Sequence, residues 1–180
     1  MDAAVIASMT KWPNVPDCYG WLHLDAQGRW LMGEVDGEQK PSIVAHEGLK
    51  GFMNRNYIAG GNGCWALQNG PQRVWVTLAL APLVVRLHAG IASAHTEQIV
   101  NIERVLLADD GVVYFATNAG PAALESASMY AFSQGLSDTA AGMVWQQAEN
   151  APLYAVETCA ASLIEVLLGF KRTAIQSAPT

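Results

Sequence analysis

The side chains of this chain that could do chemistry are few and scattered. Cys18 and His23 lie close enough in sequence to suggest a thiolate and imidazole couple. Five residues apart on one strand, they would face opposite sides, because strand side chains alternate. A couple would then need another imidazole, such as His46, brought in by the fold. A lone cysteine is also the usual small buried hydrophobe. His23, Asp25, His46 and Glu47 are the nearest approach to a metal set, but no two of them have a diagnostic ligand spacing. His46-Glu47 opens like the zinc helix His-Glu-x-x-His, yet position 50 is Lys. His95-x-Glu97 opens like a nucleobase deaminase, yet the Pro-Cys-x-x-Cys half is missing. There is no Gly-rich phosphate loop with its Lys, no Cys-x-x-Cys, no Gly-x-Ser-x-Gly and no Gly-x-Gly-x-x-Gly. Neither cofactor nor metal is expected.

Two polar segments, Arg55-Asn56-Tyr57 and Gln68-Asn69-Gly70-Pro71-Gln72-Arg73, have more promising chemistry. Arg55 or Arg73 would serve as a forked donor to an anionic or planar polar ligand. Asn and Gln also cap helix ends and tie loops to strands, the plainer role for such residues. With Cys18, Tyr19 and His46 added, the candidate ligand set is Cys18, Tyr19, His46, Arg55, Asn56, Tyr57, Gln68, Asn69, Gln72 and Arg73. Trp21, Trp30, Trp65 and Trp75 fall in strand-like runs, where core packing accounts for them.

The elements that must position these residues are mainly hairpins. Asp25-Ala26-Gln27-Gly28 is a turn between Trp21, Leu22 and Leu24 on one side and Trp30, Leu31 and Met32 on the other, a hairpin over 16–34. Residues 1–15 show no sustained period and read as an arm or irregular lead-in. Asp36-Gly37-Glu38 reads as a charged turn and Ser42-Ile43-Val44 as a short β-branched run. Between His46 and Arg55 the period changes: Leu49, Phe52 and Met53 recur three and four residues apart, which predicts one apolar helical face. A loop at 59–63, a strand over Cys64–Leu67, the Asn69-Gly70 turn and a strand over Arg73–Leu80 make a second hairpin. Leu83–Leu87 reads as extended, and 88–96 is ambiguous. Val100–Leu107 and Val112–Thr117 flank Asp109-Asp110-Gly111 as a third hairpin. A short helix over Ser126–Gln134 closed by Gly135, strands at Met143–Gln146 and Leu153–Val156, a helix over Ala160–Leu168 ahead of Gly169, and a tail from 176 complete the chain.

The chain also echoes itself. From His46 to Leu87, a shift of 80 residues superposes Phe52 on Phe132, Trp65 on Trp145, Val76 on Val156, Ala81 on Ala161, Leu83 on Leu163 and Leu87 on Leu167. The layout of Leu24 to Gly28 recurs at Leu107 to Gly111. One conflict stands out: 81–87 reads as extended and 161–167 as helical. The expected class is α+β, with antiparallel hairpin-rich sheets and two or three short helices, the echo suggesting two related halves. The expected organisation is an arm at 1–15, a first half at 16–90, a diverged second half at 91–175 and a tail at 176–180. Side chains rich in donors concentrate in the first half, which marks it as the place for a site.

Composition narrows the function classes. Of 180 residues 51% are hydrophobic and 14% charged, which favours a packed core with apolar surface left for a partner. Ten Lys and Arg are scattered against sixteen Asp and Glu, giving a net charge of −6 and no stripe for a phosphate backbone, so nucleic acid is excluded as a partner. Three widely spaced cysteines, Cys18, Cys64 and Cys159, do not make a secreted disulfide framework, and a reducing compartment is expected. The first residues carry no basic n-region, so no targeting peptide is expected. The longest apolar run, 74–87, is broken by Thr77, Pro82 and Arg86, so no membrane association is expected and the reading is cytoplasmic.

Cys18-Tyr19-Gly20-Trp21-Leu22 with Leu24-Asp25 and Gly28, His46-Glu47-Gly48-Leu49 with Asn54-Arg55-Asn56-Tyr57, and Gln68-Asn69-Gly70-Pro71-Gln72-Arg73-Val74 together resemble an uncharacterised proteobacterial protein family of unknown function. The resemblance is distinct over about residues 14 to 88 and looser beyond. It implies that the three segments belong together and supplies no substrate. The function expected is a cytoplasmic, non-enzymatic ligand-binding or protein-assembly module, its partner a small polar or anionic ligand or another protein. The alternatives are a small thiol- or metal-dependent enzyme with a site near Cys18, His46, Arg55 and Arg73, and a self-associating structural subunit, a homo-oligomer.

Overall fold

The computed structural model describes residues 1–12, 15–35 and 40–176. The charged turn expected at 36–38, and the tail beyond 176, lie outside the described residues. Two compact units partition the chain: Met1–Asp25 with Arg29–Ala79 and Phe170–Thr180, and Ala26–Gly28 with Leu80–Gly169.

The first unit opens with helix α1 (Ala3–Lys11), which corrects the expectation of an irregular lead-in. Nine residues are too few to hold a helix by propensity alone. Contacts far along the chain hold this one. Val5 is buried. Asp2 is gripped by Asn56, whose Oδ1 accepts from the Asp2 backbone N at 2.8 Å and whose Nδ2 donates to Asp2 Oδ2 at 3.2 Å. Strands β1 (Cys18–Leu24), β2 (Trp30–Met32) and β3 (Ser42–Ile43) follow. Then come helix α2 (Glu47–Asn56) and strands β4 (Tyr57–Ala59), β5 (Trp65–Asn69) and β6 (Gln72–Leu78). They form one six-stranded sheet in the order β3-β2-β1-β6-β5-β4. The hairpin turn expected at 25–28 is present, with Gly28 at φ +75, a conformation that side chains with a Cβ rarely adopt.

The second unit contains β7 (Leu83–His88), β8 (Ile91–Ala94), β9 (Ile102–Ala108), β10 (Val113–Thr117) and β11 (Gly120–Leu124). Helix α3 (Met129–Gln134), β12 (Leu136–Thr139), β13 (Gly142–Gln146), β14 (Leu153–Cys159) and helix α4 (Ile164–Leu168) complete it. The sheet order is β12-β13-β14-β9-β10-β11-β7-β8. Gly169 ends α4 at φ +70, the left-handed C-terminal geometry the sequence predicts.

The α+β class stands, and two of its details change. The sheets are mixed rather than antiparallel throughout: β1 and β6, β9 and β14, and β7 and β11 run parallel. Among the described residues there are four α-helices, against two or three expected.

The two sheets repeat one strand order. β4-β5-β6-β1-β2-β3 in the first has its counterpart in β12-β13-β14-β9-β10-β11 of the second, with the single parallel pair at the same place, β1 with β6 and β9 with β14. The ladders match residue to residue. Leu24 opposite Trp30 and Leu107 opposite Val113 flank the two hairpin turns, so Leu22 matches Val105 and Met32 matches Phe115. Leu22 lies opposite Val76 and Val105 opposite Val156, so Val74 matches Tyr154. Val74 lies opposite Leu67 and Tyr154 opposite Trp145. Leu67, opposite Tyr57, therefore matches Trp145, opposite Leu136. Register thus replaces the Trp65 and Trp145 match of the 80-residue shift. Residues 81–87 and 161–167 fall in strand β7 and in α4 with the turn before it, so their identities join unlike elements.

Candidate functional site

Helix α2 lies on one face of the first sheet, and between them is a cavity of about 330 Å³. Leu49, Phe52 and Met53 line it from the helix, the apolar face the sequence period predicts. Leu22, Met32, Leu67 and Val74 line it from the strands. Cys18, Trp21, Asn69 and Gln72 complete the wall. Trp21, Met32 and Leu49 are 43%, 37% and 38% exposed, so apolar side chains border solvent at its edge.

A backbone irregularity shapes one side. Cys18 pairs with Val74 and Leu22 with Val76, so four steps along β1 answer two along β6. The excess bulges out at Tyr19-Gly20-Trp21, with Gly20 at φ +70. Bulges of this kind re-aim side chains at sites. Here both Cys18 and Trp21 reach the cavity wall, while Trp30, Trp65 and Trp75 are buried as the packing argument predicts.

The second sheet is built otherwise at the matched positions. Phe115 stands for Met32, Trp145 for Leu67 and Tyr154 for Val74. Phe132, four residues before β12, stands for Met53, four before β4. The four rings touch: Phe132 stacks on Trp145 at 5.2 Å, Phe115 lies 5.8 Å from Trp145 and 6.2 Å from Phe132, and Tyr154 lies 6.2 Å from Trp145. Such pairs add about 0.5–1.5 kcal/mol each beyond area burial. The Trp145 indole also donates to Phe132 O at 3.0 Å.

The candidate residues divide among several places. Cys18, Asn69 and Gln72 line the cavity. Tyr19 stacks on Trp75, 6.2 Å away. His46 caps α2, its Nδ1 accepting from Leu49 N at 3.1 Å. Arg55 forks onto Asp2, Nε to Oδ1 at 3.0 Å and Nη2 to Oδ2 at 3.2 Å; these bonds, with that from Asn56, hold the Asp2 carboxyl below its ordinary value. Asn56 is fully buried and also donates to Phe52 O at 2.8 Å. Tyr57 is buried against Trp30 and Trp65, and burial pushes its phenol well up. Gln68 is buried, its Nε2 donating to Gly70 O at 2.9 Å. Arg73 lies over the Trp75 ring at 5.4 Å. No hydrogen bond among the described residues joins Cys18 to His46, Arg55 or Arg73, and no cluster of three metal-ligating side chains occurs among them.

The residues the sequence reading missed are Trp21, Leu22, Met32, Leu67 and Val74, with the helical trio noted only as packing. Their apolar character was visible. Their convergence on a cavity depends on the bulge and the parallel β1 and β6 pairing.

The fold is that of a two-sheet α+β protein with a half-enclosed apolar cavity against its first sheet. Residues 1–174 match the family model DUF2944, described as "Protein of unknown function (DUF2946)", and the chain belongs to that family. This is a family of unknown function, as the sequence resemblance implies, and the match extends well beyond 14 to 88. A crystal structure of a DUF1285 family protein from Silicibacter pomeroyi DSS-3 is similar at 13% identity, covering 81% of this chain and 84% of that one with a TM-score of 0.55, and so shares the fold. A DUF1285 family protein from Shewanella baltica OS155 matches at 18% identity over 62% of this chain and 88% of that one, with a TM-score of 0.43. No curated protein matches. No helix of the described residues is long and apolar enough to cross a membrane.

Proposed function

We propose that this protein is a non-enzymatic binding module that holds a small apolar molecule between α2 and the first sheet, the second sheet carrying a ring cluster at the matched places. One observation carries the reading: Met32, Met53, Leu67 and Val74 border a cavity where the matched residues of the other sheet are four rings clustered about Trp145. Small-molecule sites span about 300–1,000 Å³, and about 330 Å³ falls inside that range. An apolar cavity of about 150 Å³ accepts benzene, so a guest of about twice that size fits. Met32 and Met53 bring flexible thioethers that adapt to irregular guests. The shared strand order supports taking the two sheets as copies of one duplicated unit, one of which kept or gained a site. Cys18, Cys64 and Cys159 are all free thiols, which supports a reducing, cytoplasmic setting.

Thiol protection tests the reading, because Cys18 lines the cavity. N-ethylmaleimide is added with and without N-phenyl-1-naphthylamine, a neutral apolar fluorophore, and modification is mapped by mass spectrometry. Cys64 is buried, and the Cys159 thiol is pushed up by burial and by Asp109, so both are slow internal references. The expected result is a several-fold slower reaction at Cys18 alone. An unchanged Cys18 rate at saturating fluorophore would overturn the proposal.

A further inference from the structure

We infer that the guest of this cavity is electrically neutral, an apolar body ending in an amide- or alcohol-like group; the inference rests on the cavity reading above. None of the lining residues is Asp, Glu, Lys, Arg or His. The polar side-chain groups in the wall are the Cys18 thiol, the Trp21 indole N–H and two carboxamides, Asn69 and Gln72. Gln72 Nε2 donates to Pro16 O at 3.2 Å, which leaves its Oε1 as an acceptor. The exposed Asn69 carboxamide makes no hydrogen bond among the described residues and offers both a donor and an acceptor. An end group that both gives and takes a hydrogen bond is satisfied by this pair.

None of the neighbouring cations lines the cavity. Arg55 is held by Asp2. Lys50 pairs with Glu47 at 2.6 Å. Arg73 alternates with Gln72 and Val74 along β6, so it belongs to the opposite sheet face, over Trp75. A carboxylate entering the cavity would lose water without gaining a cation, a costly transfer. The net charge of −6 adds to the penalty. The polar or anionic ligand expected from Arg55 and Arg73 therefore gives way to a neutral one.

Matched acids and amides test the assignment. Octanamide and octanoate, and 2-naphthamide and 2-naphthoate, are titrated at pH 8 against bound N-phenyl-1-naphthylamine in wild type and in Leu67→Trp, which puts an indole into the cavity floor. The expected result is that each amide displaces the fluorophore at a concentration at least about tenfold below its acid, a difference of about 1.4 kcal/mol. Acids that match or exceed the amides overturn neutrality and leave the cavity standing. Failure of all four to displace a fluorophore that Leu67→Trp abolishes likewise overturns only the end-group assignment. A fluorophore that binds Leu67→Trp like wild type, whatever displaces it, overturns the cavity reading and this inference with it.

Discussion

The two sheets solve the same strand order in opposite ways. In the second, Phe115, Phe132, Trp145 and Tyr154 fill the space under the helix with rings, and Trp145 is 1% exposed. In the first, Met32, Met53, Leu67 and Val74 hold the matched places and a cavity of about 330 Å³ remains, bordered by exposed Trp21, Met32 and Leu49. Interiors are normally packed to crystal-like density. At matched positions one sheet thus borders an apolar cavity under its helix, while the other carries a cluster of rings centred on Trp145.

Removing an anchor from the filled sheet gives the largest expected effect. Trp145→Ala deletes the ring that touches the three others and its bond to Phe132 O, and should lower stability by about 3–5 kcal/mol in urea unfolding. A loss under about 1 kcal/mol would mean that the aromatic cluster does not hold the second sheet.

The residue ahead of β12 and of β4 sharpens the contrast next. At Gly135 an added Cβ would collide with Gln146 O and press on the Trp145 indole, so Gly135→Ala should cost about 1–3 kcal/mol or more. The matched Asn56 does the reverse, reaching out to Asp2 and Phe52. Asn56→Ala should cost about 1–3 kcal/mol from unpaired buried groups and loosen α1, read as faster amide exchange over residues 3–11.

The smallest effects belong to a forked ion pair in each unit. Arg55 holds Asp2 in the first, and Arg104 holds Glu157 in the second at 3.0 and 2.7 Å. In both, hydrogen bonds from the arginine lead in lowering the carboxyl value. A carboxyl lowered by folding contributes stability above its unfolded value, and that contribution is lost as pH falls through the lowered folded value. Asp2→Asn and Glu157→Gln should each differ slightly from wild type at neutral pH and converge on it in acid. A gap that widens as pH falls would contradict these pairings.

What the sequence made legible was local. The turns at 25–28, 69–71 and 109–111 carry glycines at positive φ, at Gly28, Gly70 and Gly111, and their hairpins followed. The face of α2 was legible because three apolar side chains recur at helical spacing. Helix α1 was not, because its anchors, Asn56 and Arg55, lie more than fifty residues away. The parallel joining of β1 to β6 was illegible for the same reason, since nothing near Cys18 specifies Val74 as its neighbour. The cavity depends on that joining, and on side-chain size at positions that register alone brings together. The candidate site was therefore legible only at its edge, in Cys18, Asn69 and Gln72. The echo was legible as layout but misaligned by two residues at Trp145, because the loop between β13 and β14 is longer than the Gly70-Pro71 turn between β5 and β6.

The most direct test is the affinity of N-phenyl-1-naphthylamine for Leu67→Trp, the variant that gives the first sheet the indole the second carries at Trp145. Binding should weaken at least about tenfold, the equivalent of about 1.4 kcal/mol, while the melting temperature holds or rises. Wild-type affinity in a folded Leu67→Trp protein would contradict the claim that the first sheet keeps its cavity for a guest.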